Sequence, residues 1–259
     1  MAKVAIIVGA SSGIGQGLAI RYANAGYTIG LIARREANLV ALQQQLPTES
    51  LIGVCDVTNK VAIADCIEGM IRSFGRIDIM IANAGISEAS PATEANPDIL
   101  ESTIAVNVLG AGYCAYAAIP TMIKQGSGHI VVISSLAGYR GLPGAGAYCA
   151  SKAAVNALFE SMRLDLKPHN IAVSIIRPGF IKTAITNRND YPMPFLQSLD
   201  KGCDTIFNAL SKKKAIFSFP WPLAIVVRTL YFWPCWLYDL CLSGVKNKKR
   251  RSEIGKTNE

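Results

Sequence analysis

Lys3-Val-Ala-Ile-Ile-Val-Gly9-Ala-Ser-Ser-Gly13-Ile-Gly15-Gln-Gly17 is a strand, a glycine turn and the start of a helix. The apolar, β-branched run before Gly9 is of the kind buried on both faces of a sheet. It runs straight into Gly9, Gly13 and Gly15, and an apolar helical pattern follows. That order sets backbone N–H groups and the positive end of a helix dipole where an anion can approach the main chain. The turn, Gly9, Ser11, Ser12, Gly13, Ile14 and Gly15, is therefore a candidate cradle for the pyrophosphate of a dinucleotide, and Gly17 is placed for close helix packing. A tight turn without a ligand has the same sequence, so the surrounding pattern has to decide.

Working outward, residues 3–8, 28–33, 51–54, 77–81, 128–134 and 171–177 read as buried strands, rich in Val and Ile. Residues 13–25, 36–46 and 59–74 are long enough for crossover helices. A further helix at 195–210 and a strand at 215–219 complete the alternation. This predicts an α/β fold: a Rossmann-like, doubly wound parallel sheet of about seven strands, flanked by helices on both faces. Residues 183–194, with Asn, Asp and two prolines, read as a loop or lid. The expected division is one catalytic domain over 1–219, an apolar aromatic extension over 220–245 and a basic polar tail over 246–259.

Composition narrows the classes. Of 259 residues, 51% are hydrophobic and 17% charged, which is globular. The net charge of +8 is not spread evenly: residues 201–259 hold 11 Lys/Arg against 4 Asp/Glu, which leaves the body nearly neutral. A nucleic-acid partner is not expected from such a body. Seven cysteines without a C-x-x-C pair suit reduced thiols and a cytoplasmic setting, and no metal-ligand spacing is present, so no metal is expected. The first apolar run is too short for a signal peptide.

Two features carry chemistry. The second strand ends in Ala33-Arg34-Arg35 with no acid to hold a ribose 2′-hydroxyl, and Glu36 more naturally opens the next helix. Arg34 and Arg35 favour a 2′-phosphate, hence NADP(H) over NAD(H); two solvated arginines are the plainer alternative. Tyr148 and Lys152 form the only Tyr-x-x-x-Lys pair, and i,i+4 spacing sets both on one face of a helix predicted over 147–166. A phenol titrates near pH 10, too high for work near neutrality, and an adjacent ammonium favours the phenolate.

Taken together, the glycine turn, Asn83-Ala-Gly85, Asn107, Ser134-Ser135, Tyr148-Cys-Ala-Ser-Lys152 and Arg177-Pro-Gly179 with Thr183 resemble the short-chain dehydrogenase/reductases, in order and spacing, over about residues 3–183. The resemblance implies that Tyr148 donates or accepts the proton of the substrate oxygen, and that Lys152 holds the nicotinamide ribose and lowers the tyrosine pKa. It implies that Ser135 polarises the carbonyl, with Ser134 as the alternative, and that Asn107 distorts its helix and holds a water in a proton relay. Asp56 and Val57 would meet the adenine, although Asp56 also suits a turn. Asn83, Ala84 and Gly85 would support the adenosine ribose, and Pro178, Gly179 and Thr183 would receive the carboxamide. Cys149 reads as packing.

The implied activity is hydride transfer between NADP(H) and a carbonyl or alcohol substrate, lipophilic if the tail borders the cleft, in a homo-oligomer, a dimer or tetramer. A dinucleotide-binding sensor or membrane-associated scaffold without turnover is the alternative; a lost Tyr or Lys would mark it, and neither is lost.

Residues 215–245 carry only Arg228 and Asp239 as charges, hold all three Trp, and run into Lys246-Asn-Lys-Lys-Arg-Arg251. Those charges and Pro220, Pro222 and Pro234 argue against a spanning helix. Leu223, Val226, Val227, Leu230 and Tyr231 recur at helical spacing, with Arg228 and Thr229 on another side. Two readings stand: contact with the cytoplasmic face of an anionic membrane, or packing over the active site or a subunit interface.

Overall fold

A computed structural model describes residues 2–94, 96–189 and 191–243. The opening apolar run forms β1 (Val4–Val8), buried at all five positions. Alternation sends Val4, Ile6 and Val8 into one core and Ala5 and Ile7 into another, so a single strand feeds both faces of the sheet. Its partners are β2 (Thr28–Ala33), β3 (Ser50–Val54), β4 (Ile79–Ala82), β5 (Gly128–Ile133), β6 (Ile171–Pro178) and β7 (Ile216–Phe219). All pair in parallel, in the order β3-β2-β1-β4-β5-β6-β7.

One face is covered by α1 (Gly13–Asn24), α2 (Glu36–Gln43) and α7 (Leu199–Ser211), the other by α3 (Lys60–Phe74), α5 (Ala111–Gln125) and α6 (Gly146–Leu166). Each fully buried Leu, Ile or Phe contributes about 1.5–3 kcal/mol, and Leu18, Leu39, Ile63, Ile67 and Phe159 are among the side chains closed off completely. Gly17 packs as its position suggested: a Cβ there would collide with Cys203 of α7.

The edges of the predicted elements move for identifiable reasons. The fourth strand starts at Ile79, not 77, because the Gln125 side chain satisfies Ile77, accepting from its N–H at 2.9 Å and donating to its carbonyl at 2.7 Å. The seventh helix starts at Leu199 rather than 195, where the Ser198 hydroxyl caps it by accepting from Lys201 N–H. Residues 97–125, largely unassigned from the sequence, form α4 (Pro97–Ile104), a π-helical stretch (Ala105–Gly110) and α5 without a break. This run is long and apolar enough to cross a membrane, but Cys114, Ala115, Ala118 and Met122 are shut against the sheet, so it is a layer of the fold.

Beyond β7 lie α8 (Trp221–Tyr231) and α9 (Cys235–Leu242). Leu223, Val227 and Leu230 are partly covered, whereas Val226 and Tyr231, read on the same stripe, are exposed. Arg140 fastens the pair: its guanidinium donates to the Leu230 and Trp233 carbonyls at 2.6 and 2.9 Å and stacks on the Tyr238 ring at 3.8 Å. Tyr238 donates to the Gly141 carbonyl at 2.6 Å. The basic run at 246–251 lies outside the described residues.

Candidate active site

The strand order reverses between β1 and β4, and at such a switch the carboxyl ends of the strands splay into a crevice. Its floor is the glycine turn. Gly9 adopts φ +84°, and a Cβ there would lie 2.7 Å from the Ala84 nitrogen, so the turn excludes any larger residue. The Asn83 amide donates to the Gly9 carbonyl at 2.9 Å, tying the segment after β4 to the turn after β1. Gly9, Ser11, Ser12, Gly13, Ile14, Arg34, Arg35, Asp56, Val57, Asn83, Ala84, Gly85, Ser135, Tyr148, Lys152, Pro178, Gly179 and Thr183 line one cleft. Gly15 sits behind the floor, where a Cβ would strike the Gly9 carbonyl, and Asn107 stands behind the wall, 1% exposed.

At the β2 end, the Arg35 guanidinium donates to the Ser11 hydroxyl at 2.9 Å and to the Ser12 hydroxyl at 2.6 Å. Arg34 reaches the Asp56 carboxylate at 3.3 Å. Asp56 also accepts from the Thr58 N–H and hydroxyl, at 2.9 and 2.8 Å, so the turn role read from the sequence and a place on the cleft wall coexist. Burial raises its pKa, but the Thr58 hydrogen bonds and Arg34 outweigh that and hold the carboxyl below its usual value.

At the β5 end, the two adjacent serines separate. The Ser134 hydroxyl donates to Asn156 Oδ1 at 2.7 Å and is buried, whereas Ser135 caps a short turn through Ala137 N–H and adjoins Tyr148. Tyr148 and Lys152 do share a helix face, with the ammonium 5.7 Å from the ring centroid. Lys152 is not among the groups that set the tyrosine pKa here. Burial pushes it up to about 12, with Ser135 drawing it partly back, and Lys152 donates instead to the Ile133 carbonyl at 2.9 Å. Burial takes Lys152 down to about 8.

Asn107 sits within the π-helical stretch, so the expected helix distortion is present. Its Oδ1 accepts from Ile86 N–H at 2.8 Å, and its Nδ2 donates to the Ile86 carbonyl and to the Ser151 hydroxyl, both at 2.9 Å. The side chain is thus fully engaged as a brace. Sequence reading missed Ile86 and Asn156, and gave Ser151 and Arg177, both inside the quoted motifs, no role of their own. Asn156 accepts from both Ser134 and Arg177 Nε, and Arg177 donates to the Tyr139 hydroxyl at 3.0 Å. Ser151 and Asn156 lie three and eight residues past Tyr148, near its helix face, and that spacing was the available signal.

The buried ammonium has a measurable consequence. Because the folded pKa of Lys152 is below its ordinary 10.5, the cost of burying the charge is complete below pH 8 and is relieved as pH rises from 8 to 10.5. That cost is at most about 3 kcal/mol, less about 1 for the acceptor left behind at Ile133 if the side chain is replaced. Lys152→Met is therefore expected to raise the melting temperature of the free protein by a few degrees at neutral pH, with the gain shrinking toward pH 10.5. Thermal melts at the two pH values check this.

The residues fit a dinucleotide: a glycine floor with no room for side chains, two arginines with two hydroxyls at one end, and an ammonium beside a phenol at the other. The chain is similar to known proteins over most of its length. Residues 3–192 match the short chain dehydrogenase family. An uncharacterized oxidoreductase of Myxococcus xanthus is 35% identical over 240 residues, covering 92% of this chain and 95% of that protein. A short-chain dehydrogenase from Streptomyces avermitilis superposes with a TM-score of 0.79 at 27% identity, over 88% of this chain and 91% of its own. A 3-ketoacyl-ACP reductase from Sinorhizobium meliloti does so with a TM-score of 0.76 at 27% identity, over 83% and 96%. The chain belongs to the short-chain dehydrogenase/reductase family of oxidoreductases.

Proposed function

We propose that this protein is an NADP(H)-dependent oxidoreductase that interconverts a carbonyl and its alcohol. The observation that carries the reading is the pairing, in one crevice, of the Arg35–Ser11–Ser12 cluster at one end with Ser135, Tyr148 and Lys152 at the other. The bound cofactor supplies or accepts the hydride. Arg35, supported by Arg34, Ser11 and Ser12, binds the 2′-phosphate as a charge-assisted, forked donor. Asp56 and Val57 flank the adenine, and Asn83, Ala84 and Gly85 form the ribose wall. Pro178, Gly179 and Thr183 receive the carboxamide. Lys152 holds the nicotinamide ribose, turning from the Ile133 carbonyl toward it. Ser135 orients the substrate oxygen, and Tyr148 protonates it in reduction or deprotonates it in oxidation.

Ile86, Val106, Ile181 and Ile185 on the cleft wall support a lipophilic substrate. Exposed Leu109, Tyr116 and Ile123, seven residues apart along the π–α5 run, support a homo-oligomer, dimer or tetramer, through that face. Seven cysteines, all free, support a reducing, cytoplasmic setting.

The experiment is a panel of aldehydes and ketones, from short polar to long-chain apolar, with NADPH and NADH in parallel. The expected result is carbonyl-dependent NADPH oxidation with kcat/KM at least about tenfold above that with NADH. Tight NADPH binding with no oxidation by any carbonyl would overturn the reading.

A further inference from the structure

We propose that α8 and α9 form a docking face for an anionic lipid bilayer. One side of each helix is already engaged by the body. On α8, Leu223 packs against Gly179, and Val227 and Leu230, four and seven residues on, share that inner side. On α9, Tyr238 is the buried residue and donates to the Gly141 carbonyl. Trp236 and Leu240, each two residues from Tyr238, point about 200° away from it, out of the body. Ile225 holds the same relation to Leu223.

Those outer positions are apolar. Trp221 is 73% exposed, Phe232 75%, Trp236 69% and Leu240 68%, with Ile225, Val226 and Tyr231 at half or more. Arg228 and Asp239 are the only charges on either helix. Seven large apolar side chains, clustered in two short helices and the turn between them, exceed the scattered exposure normal for a protein surface. α8 is 11 residues long, about 16 Å, which is half the hydrocarbon thickness; it suits lying in the interface, with tryptophans at headgroup depth.

Charge decides among occupants. Lys246-Asn-Lys-Lys-Arg-Arg251 begins four residues after Leu242, within about 14 Å of it at full extension. Five positive charges, a few residues along the chain from an aromatic face, complement acidic headgroups, each adding roughly fivefold to binding near an anionic surface. A second copy paired about a twofold axis would bring two such runs together, which disfavours it. The Arg140 clasp holds both helices on the body, so the face is preformed.

The test is cosedimentation of the full-length protein with phosphatidylcholine vesicles, with and without about 30% phosphatidylserine. Binding to the acidic vesicles is expected to exceed binding to neutral ones at least about tenfold, and to fall steeply as ionic strength rises from about 0.05 to 0.5 M. Trp236→Gln with Leu240→Gln should weaken it about tenfold, and Lys248→Gln with Lys249→Gln, Arg250→Gln and Arg251→Gln, at roughly fivefold per charge, should independently weaken it at least about 100-fold. Unchanged melting temperature and NADPH binding confirm that the variants are folded. Equal sedimentation with both vesicle types would overturn the proposal. So would a concentration-dependent dimer that Trp236→Gln dissolves in a protein that ignores vesicles, which would assign the face to a second copy.

Discussion

Tyr148→Phe is expected to lower carbonyl-dependent kcat by about 10³-fold while NADPH binds within about threefold of wild type. The substitution removes one oxygen from a side chain whose ring is held by α6 and whose hydroxyl adjoins Ser135. The packing survives, and so do the glycine floor, Lys152 and the Arg35 cluster, which carry cofactor affinity in this account. What is lost is the proton for the developing alkoxide, and a positioned acid contributes about 10² to 10⁴ in rate. Single-turnover NADPH oxidation, with affinity measured by fluorescence titration, separates the two quantities. An equal loss in both would make Tyr148 a cofactor contact; near-full turnover would remove it from acid–base work.

The second large effect is expected at Arg35. Its fork is already aimed at the Ser11 and Ser12 hydroxyls, at 2.9 and 2.6 Å, whereas Arg34 is drawn toward Asp56 at 3.3 Å. Of the two arginines, Arg35 is therefore the better placed for a phosphate monoester beside the glycine turn. Charge-assisted hydrogen bonds of this kind contribute about 1.5–3 kcal/mol. Arg35→Glu both removes them and opposes the anion. NADPH kcat/KM should fall by about 100-fold or more, with NADH changing by less than about threefold. A uniform loss for both cofactors would locate Arg35 at the pyrophosphate or in the fold, and not at the 2′ position. High salt should mimic the substitution weakly for NADPH and hardly at all for NADH, because the exposed phosphate contact is screened.

The fold was legible because its strands are buried on both faces, so that β1, β2, β5 and β6 appear as almost continuously apolar runs with turn residues between them. The cleft was legible where chemistry is tied to local spacing: the glycine turn, the Tyr148–Lys152 pair, and the Arg34–Arg35 strand end. What escaped was set by side chains reaching across the chain. Gln125 replaces a ladder partner for Ile77 from 48 positions away, and Arg140 binds carbonyls 90 and 93 residues on; neither leaves a periodic trace. The C-terminal stripe, left open between membrane contact and packing, divides for a similar reason. Leu223, Val227 and Leu230 do form a helical row, but Gly179 leaves the gap that Leu223 fills, so the row turns inward and the bulkier Trp221 and Phe232 are left outside. Spacing likewise places Lys152 near the ring but says nothing of the Ile133 carbonyl that competes for its ammonium.

That competition makes the ionisation of Tyr148 a direct readout of the site. Near-ultraviolet tyrosinate absorbance, taken as wild type minus Tyr148→Phe, can be followed against pH with and without oxidised cofactor. In the free protein the phenol should stay protonated to about pH 12. With saturating NADP⁺, a cationic ring beside the hydroxyl and Lys152 drawn to the ribose should lower the midpoint by at least about two units. A midpoint unmoved by the cofactor would mean that the phenol and the nicotinamide do not share the cleft, and the assignment of Tyr148, Lys152 and the glycine floor to one active site would fail.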